Sequence, residues 1–534
     1  MRIFLSGLMG AGKSTVAKAL AERTTLPRFD LDELIVEQLG DGGSISEYFR
    51  KRGEPAFREL ERATLERLIS EQPSGIFALG GGAVTSLETR RQLLRAGFVV
   101  TLDAADEVLA RRVGAGTGRP LLEGEQNGDV RSRLAELRAQ RAAAYAECHM
   151  RVDTSQHDPD RAARTIWETA AQEPIVVPLG TRTYRVFVGN HNRHTLATRV
   201  QELGPVSSML VVSDTQVGPA WGRGMSTQLR SLGQTVTHLE LAPGESAKTL
   251  ESVDTIWNAA LDVGLDRTSL VIGIGGGVVG DLSGFAAATL LRGIRVAHVP
   301  TTLLAMVDSA VGGKTGFDTR HGKNLVGAFH QPSFVLCDVH VLSSLPRDER
   351  RAGLAEVVKA AWIDGEASVA GLEADADALA AGDEEATTRA IRMAAGLKAR
   401  IVTEDERESD VRAHLNFGHT LAHAIEASSG YAGIRHGEAV SIGMVAACRV
   451  SVRMGRMQPE AASRVERLLD RLGLPTRVEP FLSDRVLSFI SADKKRKGEK
   501  VDFVSPGAPG DIRLVPLPVT ELQQHLKHTH ATSA

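Results

Sequence analysis

Apolar residues fall along this chain in short runs, separated by glycine-rich turns and amphipathic stretches, which is the pattern of alternating strands and helices. Residues 2–6 (RIFLS) form the first run, and helical spacing begins at 16–23 after three closely placed glycines. A second buried strand is predicted at 76–79, and an amphipathic helix at 159–171 (PDRAARTIWETAA). Glu173-Pro174 then punctuates the chain, and a new series opens with the alternating segments IVVPLG and TYRVFVG. Apolar strands follow at 208–213, 234–239, 271–274 and 296–299, with the continuous apolar character of a parallel sheet. From about residue 345 the spacing is helical. The expected organisation is therefore an α/β domain over 1–172, a second α/β part over 173–340, and a mainly helical part over 341–534.

Composition narrows the function class. At 534 residues the chain exceeds one hydrophobic core, and 42% hydrophobic with 24% charged residues is ordinary for a soluble α/β protein. A net charge of −3 offers no bulk attraction to nucleic acid or anionic membrane. Three cysteines, Cys148, Cys337 and Cys448, stand far apart without metal-ribbon spacing, which points to a reducing compartment. Neither a signal-peptide core nor an apolar run of membrane-spanning length is present, so a cytoplasmic location is expected.

The first glycine cluster carries chemistry. Gly7-Leu-Met-Gly-Ala-Gly-Lys13-Ser14-Thr15 matches G-x-x-x-x-G-K-[ST] between a strand and a helix, the context that motif requires. Gly10, Ala11 and Gly12 present backbone amides to nucleotide phosphates, Lys13 neutralises their oxygens, and Ser14 can ligate Mg²⁺ beside Thr15. Phe29-Asp30-Leu31-Asp32 reads as an extended segment with both carboxylates on one side. Gly80, Gly81 and Gly82 follow the strand at 76–79 and offer bare backbone to a small ligand. Arg58, Arg119 and Arg141 are spaced guanidinium groups, and Gly114, Gly116 and Gly118 flank Arg119 as a closing flap would need.

The second cluster is longer. Gly275, Gly276, Gly277 and Gly280-Asp281 follow the strand at 271–274, and Asp308, Lys314, Lys323 and Asn324 lie in a predicted loop rich in glycine. Such a loop holds phosphate through amides and ammonium groups. A dinucleotide fingerprint is formally present at 275–280, but Arg295 stands where the acidic residue is required, so a standard Rossmann reading is rejected. Downstream, Glu356 and Lys359 share a helical face, and His419 and His423 are four apart. A glutamate with two histidines and an open position is catalytic-zinc chemistry.

The P-loop, F-D-L-D, Phe57-Arg58, L-G-G-G, R-P-L-L at 119–122 and Arg141 together resemble shikimate kinase over residues 1–170. E-V-V-K, L-N-F-G-H-T-x-x-H-A-I-E, R-H-G-E-A-V, V-D-S-x-x-G-G-K-T-G, G-K-N and D-K-K resemble 3-dehydroquinate synthase over about 175–515. These resemblances imply a nucleoside-monophosphate-kinase-like parallel sheet, then an NAD-binding α/β part and an all-helical metal-binding part. For the kinase they imply ATP at the P-loop and Arg119, Mg²⁺ at Ser14 and Asp30, and shikimate at Asp32, Arg58, Gly81, Gly82 and Arg141. For the synthase they imply Zn²⁺ or Co²⁺ on Glu356, His419 and His436, with Asp308, Lys359, Lys398 and Arg412 on the substrate hydroxyls and carboxylate. Arg292, Lys314, Asn324, Asn416, His423 and Lys494 or Lys495 would take the phosphate. NAD would lie on Asp214, Glu245, Lys248, Gly276, Gly277, Asp281, Thr301, Thr302, Lys314 and Lys323. The implied protein is bifunctional: ATP-dependent 3-phosphorylation of shikimate, and conversion of 3-deoxy-arabino-heptulosonate 7-phosphate to 3-dehydroquinate with phosphate release. A homodimer through the C-terminal region is implied too. The competing expectation is another small-molecule P-loop kinase fused to a metal-dependent polyol dehydrogenase.

Overall fold

The computed structural model of the protein describes residues 1–40, 43–114, 130–156, 158–430, 433–490, 496–497 and 500–528. Contacts divide the chain into two compact units, Met1–Arg185 and Val186–Ala534. In the first, the strand Arg2–Ser6 stands at the centre of a five-stranded sheet ordered Arg28–Asp30, Gly75–Ala78, Arg2–Ser6, Phe98–Asp103, Met150–Asp153. Every pairing in it is parallel. Ile3, Phe4 and Leu5 are fully buried, because helices pack around a parallel sheet and leave its central strands no wet face. Strand order reverses at this central strand, so its carboxyl end opens on a crevice, and the glycine loop turns there into the helix Lys13–Thr24. A side chain at Gly7 would meet the Leu102 carbonyl oxygen at 2.1 Å, and Gly12 caps the helix in the left-handed region at φ 93°. Both positions exclude a Cβ for those reasons.

A seven-stranded sheet is ordered Ile175–Val177, Tyr184–Gly189, Phe334–Asp338, Arg295–Pro300, Leu270–Gly275, Ser208–Asp214, Thr235–Leu241; its last five strands lie in the second unit, Tyr184–Gly189 spans the start of that unit at Val186, and Ile175–Val177 precedes it. Its last five strands are parallel neighbours. The switch in strand order falls between Ser208–Asp214 and Leu270–Gly275, which puts Asp214 and Gly276 on the two sides of a ligand crevice. The helices Arg347–Asp364, Glu366–Ala381, Glu384–Glu404, His419–Ser428, His436–Arg453 and Pro459–Arg471 follow. His436–Arg453 is buried along most of its length, as expected of a helix apolar on nearly every face. No helix of the described residues is long and apolar enough to cross a membrane.

Three expectations are corrected. Asp30 and Asp32 do not share an extended segment: the strand ends at Asp30, whose carboxylate accepts from the Asp32 amide at 3.2 Å and caps the helix Leu31–Leu39. Local capping overrides the period-two reading. The glycine-rich segment carrying Lys314, Lys323 and Asn324 is an antiparallel hairpin of Lys314–Thr319 and Gly322–Phe329, not an open loop. Gly316 faces Gly327, and a Cβ on Gly316 would meet the Val326 carbonyl oxygen at 2.5 Å, so the glycines serve strand pairing. The helical part also carries a small antiparallel sheet of Arg496–Lys497, Lys500–Pro506 and Ile512–Pro518, where apolar residues alternate with polar ones.

Candidate active sites

In the first unit a cavity of about 740 Å³ opens at the carboxyl end of the sheet. It is lined by Gly10, Gly12, Lys13, Ser14, Thr15, Asp30, Asp32, Arg58, Gly81, Gly82 and Arg141, so residues from five separate stretches converge. Ala11 is fully buried beneath it, its amide donating to the Leu8 carbonyl at 3.1 Å. Lys13 Nζ donates to the carbonyls of Gly7 at 3.0 Å and Leu8 at 3.2 Å, a fold-back that a phosphate would compete for. Ser14 Oγ donates to Asp30 Oδ2 at 2.7 Å, which pairs the hydroxyl and carboxylate expected at Mg²⁺. Arg141 donates to the Gly81 carbonyl at 2.9 Å, and the Tyr145 hydroxyl to the same oxygen at 2.6 Å. Arg119 lies outside the described residues.

Glu61 and Arg112 line this cavity and were not anticipated. Glu61 is 2% exposed and accepts from Arg58 at 2.7 Å, while its Oε1 has no hydrogen-bond partner among the described residues. Burial pushes its carboxyl pKa up against the pull of Arg58. Its signal in the sequence was i,i+3 spacing from Arg58 on one helix face. Arg112 donates to Thr154 Oγ1 at 3.0 Å and to its carbonyl at 2.7 Å.

The second unit assembles the other constellation. Glu356 Oε1 stands 3.6 Å from Nε2 of His419 and 3.6 Å from Nε2 of His436. It is buried without a hydrogen-bond partner among the described residues, an unfavourable state for a carboxylate oxygen unless a cation joins it. His419 Nδ1 lies 3.2 Å from the Phe417 carbonyl and His436 Nδ1 3.3 Å from Glu426 Oε2, so both rings turn Nε2 toward Glu356. Burial works against the His436 imidazolium, but Glu356 and Glu426 override it and push its pKa up to about 10. A carboxylate and two imidazoles in this arrangement fit Zn²⁺ or Co²⁺. Lys359 pairs with Glu356 Oε2 one turn along the same helix.

Lys398 Nζ lies 2.5 Å from Asp308 Oδ1, and burial pushes its pKa down to about 8. Burial opposes ionisation of Asp308, yet Lys398 and Lys359 hold it below the usual carboxylate range. Arg412 is 1% exposed and donates to the carbonyls of Glu406 at 2.5 Å and Gly312 at 3.0 Å. Lys314 and Asn416 converge on Glu408, an unanticipated carboxylate held at φ 59°. His423 sits edge-on to His419 with ring centroids 5.4 Å apart.

Toward the strand ends, Lys248 Nζ meets Asp281 Oδ2 at 2.6 Å, and Lys323 Nζ lies 3.2 Å from Glu245 and 3.6 Å from Glu426. Asp214 Oδ1 caps the following turn, accepting from Gln216 and Val217 at 2.8 Å each. Gly276 caps the helix Gly277–Thr289, and a Cβ there would approach Thr302 Cγ2 to 3.0 Å. Thr301 Oγ1 is buried without a hydrogen-bond partner among the described residues. Asn324, at φ 53°, donates its amide to Asp318 Oδ1 at 2.9 Å. Arg292, at φ 66°, makes no hydrogen bond or ion pair among the described residues. Lys494 and Lys495 lie outside them.

Residues 238–352 match the 3-dehydroquinate synthase N-terminal family and 353–496 its C-terminal family. The chain is 42% identical over 341 residues to the 3-dehydroquinate synthase of Symbiobacterium thermophilum, covering 63% of this chain and 95% of that protein. The chain belongs to the 3-dehydroquinate synthase family. That family accounts for the second unit; residues 9–171 match shikimate kinase, so the whole is a fusion of a shikimate kinase domain with a 3-dehydroquinate synthase. The 3-dehydroquinate synthase of Caulobacter vibrioides is 43% identical over 344 residues, covering 63% of this chain and 93% of that protein. Among solved structures, 2-epi-5-epi-valiolone synthase from Streptomyces hygroscopicus subsp. jinggangensis, with NAD⁺ and Zn²⁺ bound, is similar at 26% identity and a TM-score of 0.59. That match covers 65% of this synthase fusion and 96% of the other chain.

Proposed function

We propose that the first unit phosphorylates the 3-hydroxyl of shikimate from Mg²⁺-ATP, and that the second converts 3-deoxy-arabino-heptulosonate 7-phosphate to 3-dehydroquinate with NAD⁺ and Zn²⁺ or Co²⁺. The observation that carries the second reading is the orphaned Glu356 Oε1, 3.6 Å from two imidazole nitrogens. Bound there, the metal supplies polarisation of an alcohol oxygen, and the dinucleotide a reversible hydride acceptor. Asp308, Lys359 and Lys398 orient the substrate hydroxyls, and Lys398 holds a proton beside Asp308. Lys314, Asn324, Asn416 and His423 bind the phosphate, which must displace Glu408 from Lys314 and Asn416. Arg412, its Nη groups engaged with main-chain carbonyls, braces the wall that receives the carboxylate. Asp214, Glu245, Lys248, Gly276, Gly277, Asp281, Thr301, Thr302 and Lys323 hold the dinucleotide across the crevice where strand order reverses.

In the kinase, Ser14 and Asp30 hold Mg²⁺, Lys13 and the loop amides hold the phosphates, and Asp32, Arg58, Gly81, Gly82 and Arg141 hold shikimate. Asp32 is the group that takes the proton of the attacking hydroxyl. We place the domain boundaries at 172/173 and 340/341; the seven-stranded sheet begins at Ile175. A homodimer is supported by the exposed Leu325, Val326 and Phe329 on one hairpin strand, and by the exposed Arg292, which makes no hydrogen bond or ion pair among the described residues and would serve a second copy. Buried, unpaired Cys148, Cys337 and Cys448 support a cytoplasmic setting.

The test is phosphate release from 3-deoxy-arabino-heptulosonate 7-phosphate with catalytic NAD⁺, before and after metal stripping, beside ADP formation with shikimate. Turnover lost on chelation and restored by Zn²⁺, without net NADH, supports the synthase reading. Net NADH without phosphate release would overturn it, and shikimate-independent ADP formation would overturn the kinase reading.

A further inference from the structure

We propose a second divalent-metal site on the synthase unit, built from His191, His340 and Glu384. The three come from separate segments: the turn after strand Tyr184–Gly189, the turn Val339–Ser344 after strand Phe334–Asp338, and the first turn of helix Glu384–Glu404. One donor atom from each lies within 4.8 Å of the other two. His340 Nδ1 is 3.1 Å from Glu384 Oε1, about the separation of two ligands on one tetrahedral ion with bonds near 2.0–2.1 Å.

The arrangement is held from behind. Asp338 is fully buried, and its Oδ1 accepts the backbone amides of both His191, at 2.8 Å, and His340, at 3.0 Å. One carboxylate thereby sets the backbone under both imidazoles. His191 is kept in the left-handed region at φ 55°, an unusual state for a residue with a side chain. Asn190 Nδ2 donates to Glu384 Oε2, which leaves Oε1 turned toward His340.

A surface ion pair between His340 and Glu384 explains two of the three residues. It does not explain His191, whose ring centroid lies 4.0 Å from that of His340. Two imidazoles beside a carboxylate are a ligand set for Zn²⁺, Co²⁺ or Ni²⁺. Arg193 Nη1 reaches His191 Nδ1 at 3.5 Å but is anchored on Asp338 Oδ2 at 2.9 Å, so it keeps its partner if a metal takes that nitrogen. His191 is exposed and the other two half-buried, so water completes the coordination. The bound ion ties two turns at the edge of the α/β part to the helix that later carries Lys398.

The test uses the full chain with His419→Ala, which breaks the Glu356 triad, stripped of metal and titrated with Co²⁺. The expected result is one equivalent bound, with visible absorbance of a low-symmetry site, lost when His340→Ala is added and weakened at least tenfold by Glu384→Gln. If His419→Ala protein binds no Co²⁺, or if its binding survives both further substitutions, the site does not exist. Retained kinase and synthase activity in single His340→Ala protein verifies that loss of binding is not loss of fold.

Discussion

Glu426 Oε2 lies 3.3 Å from Nδ1 of His436, and this contact decides which ring nitrogen faces Glu356. With Nδ1–H donating to Glu426, a metal takes the place of the Nε2 proton. Glu426→Gln keeps the volume but removes the charged acceptor. It should weaken Zn²⁺ binding about 10- to 100-fold, measured by chelator competition, with kinase activity unchanged. Unaltered metal affinity would mean that His436 needs no partner behind it.

The Asp308–Lys398 pair predicts a pH response. Burial brings the Lys398 pKa down to about 8, so kcat/KM for phosphate release should fall as pH rises through that value. Lys398→Arg keeps its charge and should move this alkaline limb upward, even at reduced activity. The stability effect has the opposite direction: the folded pKa lies below the unfolded value of about 10.4, so the unfolded chain binds more protons between the two. Relative to Lys398→Met, wild-type stability should rise across that window in urea titrations. A limb that stays near pH 8 in Lys398→Arg would assign it to another group.

Gly82 has an ordinary backbone at φ −108°, but a Cβ there would lie 2.2 Å from the Arg58 guanidinium carbon. Gly82→Ala should therefore fold normally and push Arg58 off its position. Loss of a charge-assisted hydrogen bond raises the KM for shikimate about 10- to 100-fold, with little change in that for ATP. Equal effects on both substrates would show that Arg58 serves the whole pocket.

The two catalytic sites use disjoint residues, so each should fail alone. Lys13→Ala should cut shikimate phosphorylation by about 100- to 1,000-fold through loss of phosphate charge stabilisation and leave phosphate release by the synthase intact. His419→Ala should do the reverse. Parallel loss of both activities from either substitution, with unchanged circular dichroism, would reveal coupling.

The sequence by itself determined the two α/β patterns, the P-loop and the ligand types, because strand and helix periodicity and glycine spacing are local properties. Strands at 208–213, 271–274 and 296–299 reappear within a residue or so of their structural bounds. Contacts between distant segments were decided only by tertiary structure. Glu408 and Glu426 are unremarkable carboxylates in sequence, and only folding sets them against Lys314 and His436. The helix Glu366–Ala381, rich in alanine and acidic residues, buries Val369, Leu372, Ala376 and Leu379. Asp32 is helical because the Asp30 carboxylate captures its amide, and the Lys314–Phe329 segment is a hairpin because facing glycines let two strands close. The residue types prescribe what chemistry is available, whereas a carboxylate becomes a ligand, a cap or a brace according to what the fold brings within about 3 Å of it.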